Sequence, residues 1–276
     1  MPQATLPQIQ FGDHTLSRLI AGSNTINGGS HLSRFVNAQM KRYFTPEQVQ
    51  RFLAHCQELG INTYQSGKGN LDAYTQYLEH GKLHFLSLWR DDPDDPTALD
   101  ELVSAGTIGV FHHGEVTDTM WKSGRIDQVR EACKKIRDSG SMVGVSTHMP
   151  DVVDHILSEG WDVDTFMCCV YERHRTREEL QALLGHVPIP VNEVYLEDDP
   201  PRMFKMMRQT EVPCLAFKIL AAGRLCDKPE WTEAAFKATF EQIKANDAVI
   251  VGMYPEYEDQ VALNAEYVRR FSPLSK

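Results

Sequence analysis

A short unit recurs along this chain: a helix that closes on glycine, then within a few residues an apolar run rich in β-branched side chains. The spacing predicts such helix ends at Gly60, Gly81, Gly106, Gly140 and Gly160, followed by strands at 61–65, 83–89, 107–111, 141–146 and 163–171. Glycine just past a helix accepts the left-handed turn that other residues resist. Two further helix–strand pairs, with strands at 213–218 and 248–252, join a first strand at 18–22 to make eight. Strands that alternate with helices pair in parallel, and eight of them close into a (β/α)8 TIM barrel. A doubly wound open sheet is the rival, but no Gly-x-Gly-x-x-Gly loop follows any early strand. A chain of 276 residues matches one such domain over 1–276, and 42% apolar content suffices for its core.

Three segments fall outside the repeat. Residues 5–17 hold two short runs around Gly12-Asp13, a turn dipeptide, and read as an N-terminal β-hairpin. Residues 23–44 read as a lid-like loop hinged at Gly28-Gly29, because loops of that length in compact domains are usually binding loops. Residues 176–199 exceed what one crossover helix requires and read as a surface insertion.

The net charge of −10, without a run of basic residues, argues against nucleic acid or an anionic membrane as partner. The expected partner is a small-molecule substrate; nothing in the sequence sets the oligomeric state. No run is long and apolar enough to span a bilayer, and the N-terminus lacks the charged and apolar regions of a signal peptide. None of the six cysteines stands in C-x-x-C spacing. These features point to free thiols and a cytoplasmic protein.

In a parallel barrel every strand's C-terminal end opens on one face, so the residues of that mouth can be read from the text. They are Asn24, Gln65, Trp89 with Arg90, His112 with His113, Thr147 with His148, Tyr171 with Glu172, Lys218, and Met253 with Tyr254. The stretch 107–115 is the most pointed, staying apolar until its tip and then turning to His112, His113 and Glu115. Alternation forbids both histidines from facing inward on a straight strand. Of the substrate-facing residues, Asn24, Gln65, Trp89 and Tyr254 are expected to shape the pocket. Lys218, after an apolar run, is either a base or Schiff-base nucleophile with a lowered pKa, an anion-binding group, or a buried lysine paired with Glu172 or Glu193. His112, His113, Glu115, His148 and Glu172 are of ligand type for a divalent metal, although no residue is assigned to one.

Several motifs resemble the aldo/keto reductase superfamily. They are the hairpin leading into Leu19-Ile20-Ala21-Gly22, Leu59-Gly60-Ile61-Asn62, Val143-Gly144-Val145-Ser146, Val212-Pro213-Cys214-Leu215-Ala216 with Ala222-Gly223, and Val251-Gly252 with Asp259-Gln260-Val261 and Asn264. The resemblance spans nearly the whole chain and implies the barrel fold. It also implies a nicotinamide cofactor near Gly223, Arg224, Gly252 and Asn264. The family's catalytic tetrad is absent in three of four places. Gln65 stands for its aspartate, Asn70 falls near its tyrosine, and Leu86-Ser87-Leu88 replaces its lysine; the histidine is matched by His112. The acidic loop after the last strand, with Glu256 and Glu258, disfavours the 2′-phosphate of NADPH and leaves NADH open.

The leading expectation is a divergent aldo/keto reductase-like oxidoreductase acting on a small carbonyl or sugar-like substrate. His112 polarises a substrate oxygen, Lys218 or Tyr171 handles the proton, and His148 completes the site. The alternatives are a lyase or isomerase on the same residues, without nicotinamide or with a metal, and a barrel that binds a ligand without turnover.

Overall fold

A computed structural model describes residues 5–190 and 193–272. Strands β1 (Gln8–Phe11) and β2 (His14–Ser17) form the antiparallel hairpin around Gly12. Eight parallel strands follow: β3 (Leu19–Gly22), β4 (Thr63–Gly67), β5 (His84–Trp89), β6 (Thr107–His112), β7 (Met142–Thr147), β8 (Thr165–Cys169), β9 (Cys214–Phe217) and β10 (Ala248–Gly252). They close into a barrel in the order β10-β3-β4-β5-β6-β7-β8-β9, a TIM barrel with helices outside it.

Strand alternation divides the apolar residues into two layers. Ile20, Leu86, Phe111, Met167, Leu215 and Ile250 point into the lumen, where the hairpin's Ile9, Phe11 and Leu16 plug the N-terminal end. Tyr64, Phe85, Val110, Val145 and Phe166 point out, against helix residues such as Leu53, Ile136, Val153 and Val268. Gly144 is what admits Phe111 to its place: a Cβ there would sit 2.2 Å from the Phe111 ring. The lumen is therefore filled from below, and a cavity opens at the C-terminal mouth.

Arg18 clamps the seam between first and last strands. Its guanidinium donates to the carbonyls of Asp247 and Lys244 and to Ser272 Oγ, at 2.7–2.8 Å. Each bond pairs a guanidinium donor with an acceptor far along the chain, so the two ends of the barrel sequence lock together.

Two segments carry more structure than the sequence suggests. Residues 23–44 are not a bare loop, because Ser33 caps a helix Arg34–Tyr43 by accepting from the Val36 amide. Its Val36 and Met40, four apart on one face, turn toward the barrel mouth. Within 176–199, a Thr176–Glu179 capping box opens the helix Arg177–Leu184, which ends on left-handed Gly185. The crossover is made by a second helix, Asp199–Gln209. Residues 191 and 192 of that stretch lie outside the described residues. An unexpected helix, Gly114–Lys122, follows β6 directly. No helix among the described residues is long and apolar enough to cross a membrane.

Candidate active site at the barrel mouth

A cavity of about 670 Å³ opens at the C-terminal ends of the strands and runs from the lumen toward the last helix, Gln260–Phe271. Leu32, Val36 and Met40 roof part of it.

His148 stands just beyond β7, on the inward face it shares with Ser146. Asp118, from the helix Gly114–Lys122, reaches it with Oδ2 2.6 Å from Nδ1. Thr147 Oγ1 donates to Asp118 Oδ1 at 2.5 Å, and the His148 amide donates to the same carboxylate at 3.2 Å. Both side chains are almost wholly buried, at 4% and 3% exposure. Burial pushes the Asp118 carboxyl up to about 6, against the hydrogen bonds from Thr147 and His148. Burial, then Arg173, His174 and Lys218, drive His148 well below the usual histidine range. At neutral pH the stable pair is thus a carboxylate and a neutral imidazole, with the ring proton on Nδ1 facing its acceptor. Nε2 makes no hydrogen bond among the described residues, and its lone pair is left for the cavity. The ring is held edge-on by His174 at 4.9 Å and by Phe217 at 5.5 Å. Gly114 leaves it room, since a Cβ there would lie 2.9 Å from Ser146 Oγ and 3.2 Å from His148 Cε1.

Lys218 follows β9 and lines the same cavity. Its backbone is left-handed, with φ of 60°, a conformation that costs a non-glycine residue roughly 1–2 kcal/mol. Among the described residues its ammonium has neither a hydrogen bond nor an ion pair. Burial lowers its pKa to about 8, with Cys169 working against the shift and Arg173 with it.

Arg173 lines the cavity from behind β8, pinned between Glu115 and Glu193. Glu193 also meets His31 Nδ1 at 3.1 Å and accepts from Tyr195 Oη at 2.8 Å. Despite burial, His31 and Arg173 hold the Glu193 carboxyl well below its usual range. These contacts fasten the segment bearing His31 to the loop bearing Glu193. They also consume most of the positive charge of Arg173.

The mouth residues expected from sequence separate cleanly. His148, Lys218, Asn24, Gln65 and Tyr254 line the cavity, as do Gly223, Gly252 and Asn264. His112 does not. Phe111 and His113 take the inward positions, so His112 points outward into complete burial with Nδ1 2.8 Å from Thr117 Oγ1. Burial first, and neighbouring His113 second, lower its pKa to about 4. Trp89 is turned out by the same parity, with Leu88 inward. Tyr171 packs on the Tyr195 ring in the outer layer, 5.0 Å between centroids, and burial pushes its hydroxyl up to about 12. Arg224 turns aside, its guanidinium donating to the carbonyls of His31 and Glu193 and lying 4.1 Å over Tyr195.

Sequence reasoning missed Asp118, Arg173 and the inward place of His113. Among the described residues, Asp118, His148 and His174 are the group whose donor atoms lie close enough to hold a metal, within 4.8 Å of one another. It shares only His148 with the ligand types picked from sequence. Here the Asp118 oxygens accept from Thr147 and His148, while His174 Nε2 is buried without a hydrogen-bond partner among the described residues.

No protein-family model matches the chain, and no curated protein matches it. Solved structures do match in shape. A truncated 3-deoxy-D-arabino-heptulosonate 7-phosphate synthase from Thermotoga maritima aligns at a TM-score of 0.55 and 12% identity, covering 96% of this chain and 91% of the other. A glycerol dehydrogenase from Gluconobacter oxydans aligns at 0.54 and 13%, covering 98% and 97%. A putative 2,5-diketo-D-gluconic acid reductase B aligns at 0.53 and 12%, covering 99% and 88%. At such identity the likeness shows the fold alone: this chain is a TIM-barrel protein. The fold is shared by aldo/keto reductases and by barrel enzymes of other kinds, so its chemistry has to be argued from the site.

Proposed function

We propose that this barrel is an enzyme moving a proton at the carbon beside the carbonyl of a small, uncharged, polyhydroxylated substrate, a lyase or isomerase type of chemistry. One observation carries this reading. An imidazole whose Nδ1 is committed to a buried carboxylate faces the same cavity as a lysine without a partner. The first arrangement is that of a general base held in one tautomer by a carboxylate. The second supplies a group to polarise or engage the carbonyl. An uncharged, hydroxyl-bearing substrate is supported by the walls: Arg173 is neutralised by two carboxylates, Asn24, Gln65 and Asn264 offer amides suited to hydroxyls, and the Lys218 amine is left for the carbonyl.

The test is proton washout. Purified protein is incubated in D2O with dihydroxyacetone, glyceraldehyde or fructose, and the α-proton signal is followed by NMR. Washout above the buffer rate is expected for at least one compound, falling about 10²–10⁴-fold in Asp118→Asn, which keeps the shape but frees the tautomer. No washout for any of the three, or washout indifferent to that substitution, overturns the reading.

A nicotinamide-dependent, aldo/keto reductase-like oxidoreductase is the second reading. It is favoured by the cavity's extension past Gly223 and Gly252 to Asn264, where the resemblance would lay such a cofactor. The residues suit a 2′-phosphate poorly, since Arg224 is engaged elsewhere and Glu258 lines the wall. Titration with NADH by fluorescence decides it: saturation below millimolar concentration supports this reading, and none removes it.

A further inference from the structure

We infer that Lys218 is a covalent catalyst, condensing with the substrate carbonyl to form an iminium. This deepens the reading above, which requires only that the lysine and His148 share a cavity.

Three features of the lysine are hard to explain structurally. It is half-buried in the cavity wall, with no hydrogen bond or ion pair among the described residues to hold its ammonium in place. Carboxylates stand close by, but Arg173 has taken both Glu115 and Glu193. Its backbone is held left-handed at the tip of β9, a strain of the kind that collects at reacting groups. Phe217, Ile219 and Leu220 adjoin it on the cavity wall, which disfavours the charged form and leaves an amine lone pair available near neutral pH.

His148 supplies the partner that imine formation needs. The Lys218 nitrogen attacks the carbonyl carbon, a C–N bond forms, and the C=O π pair moves to oxygen. His148 Nε2 takes a proton from the now cationic nitrogen, and the alkoxide takes one from solvent. The imidazolium returns its proton to the carbinolamine hydroxyl, which leaves as water while the nitrogen lone pair closes the C=N+ bond. The net change is uptake of one solvent proton and release of one water. The iminium then draws electrons from the neighbouring C–H bond, whose proton the regenerated imidazole accepts. One base thus serves both steps, consistent with a single dyad in the cavity.

The experiment is reductive trapping of the full-length protein. Glyceraldehyde and sodium cyanoborohydride are added at pH 7.5, samples are quenched over minutes, and modified lysines are located by peptide mass spectrometry. Lys218 is expected to be modified at least about tenfold faster than an exposed reference such as Lys134, because it lines the cavity that also holds the His148 base. Lys218→Arg and Lys218→Met should both lose the fast phase while retaining slow surface labelling. Two substitutions guard against a folding defect in either. Labelling of Lys218 no faster than Lys134 overturns the inference. If D2O washout persists while trapping fails, the lysine acts as an unbonded cation and the proton-transfer reading survives alone.

Discussion

The Nδ1 atom of His148 lies 2.6 Å from Oδ2 of Asp118, a residue thirty positions away that comes from the helix after the preceding strand. That contact fixes what the barrel mouth can do. With one nitrogen committed, the other is the sole basic atom of the ring, and the fold aims the residue at the cavity. Burial first, then Arg173, His174 and Lys218, keep the ring neutral at pH 7, so Nε2 carries a free lone pair toward the cavity.

Lys218→Met tests whether the lysine was placed for function. Methionine keeps the volume and removes an amine that makes no hydrogen bond or ion pair among the described residues, so the variant should be at least as stable as the parent. Urea unfolding at pH 7 reads the shift. A lower midpoint would mean that the amine makes a stabilising contact.

Gly114→Ala tests the fit around the imidazole. A helical alanine gains up to about 1 kcal/mol over glycine, which offsets part of the crowding against Ser146 and His148. The melting temperature should therefore move by only a few degrees, while proton washout falls by about tenfold or more because the ring is displaced. Unchanged washout would show that the ring tolerates the methyl group.

Much of the ring was legible in the text because the helix–glycine–strand unit repeats, and each repeat carries its own stop signal, such as left-handed Gly60 and Gly140. Parity was not. Whether His112 or His113 faces the lumen depends on where β6 enters the sheet, and the pairing of β5 with β6 shifts register between Phe85 and Leu86. No local pattern marks such a shift. Asp118 was invisible for another reason: it sits on a helix the repeat did not require, and only folding brings it to His148. Trp89 and Tyr171 stand at strand tips as read, but the outer layer claims them, since large rings fill the space between barrel and helices. The direction of Arg224 is set by carbonyls of His31 and Glu193, which no spacing reveals.

The outward histidine has a measurable consequence. His112 holds its proton only below about pH 4 in the folded state, against about 6.5 when unfolded. Between those values the unfolded chain binds a proton that the native one refuses, so stability falls as pH drops through the window. At pH 5 the loss is about 2 kcal/mol from this residue. Asp118, raised by burial, shifts stability the opposite way below about pH 6, so the contribution is isolated by difference. Urea unfolding of parent and His112→Asn at pH 7 and pH 5 should show the variant losing less on acidification. An equal loss would place the proton elsewhere.

The account turns on the proton of one imidazole. A long-range ¹H–¹⁵N correlation of the histidine rings at pH 7, assigned with a His148→Gln variant, reads it directly. The expected result is His148 neutral, with hydrogen on Nδ1 and a bare Nε2, and a shift toward the other tautomer in Asp118→Asn. A proton on Nε2 in the parent, or a doubly protonated ring at pH 7, would contradict the general-base role and the chemistry built on it.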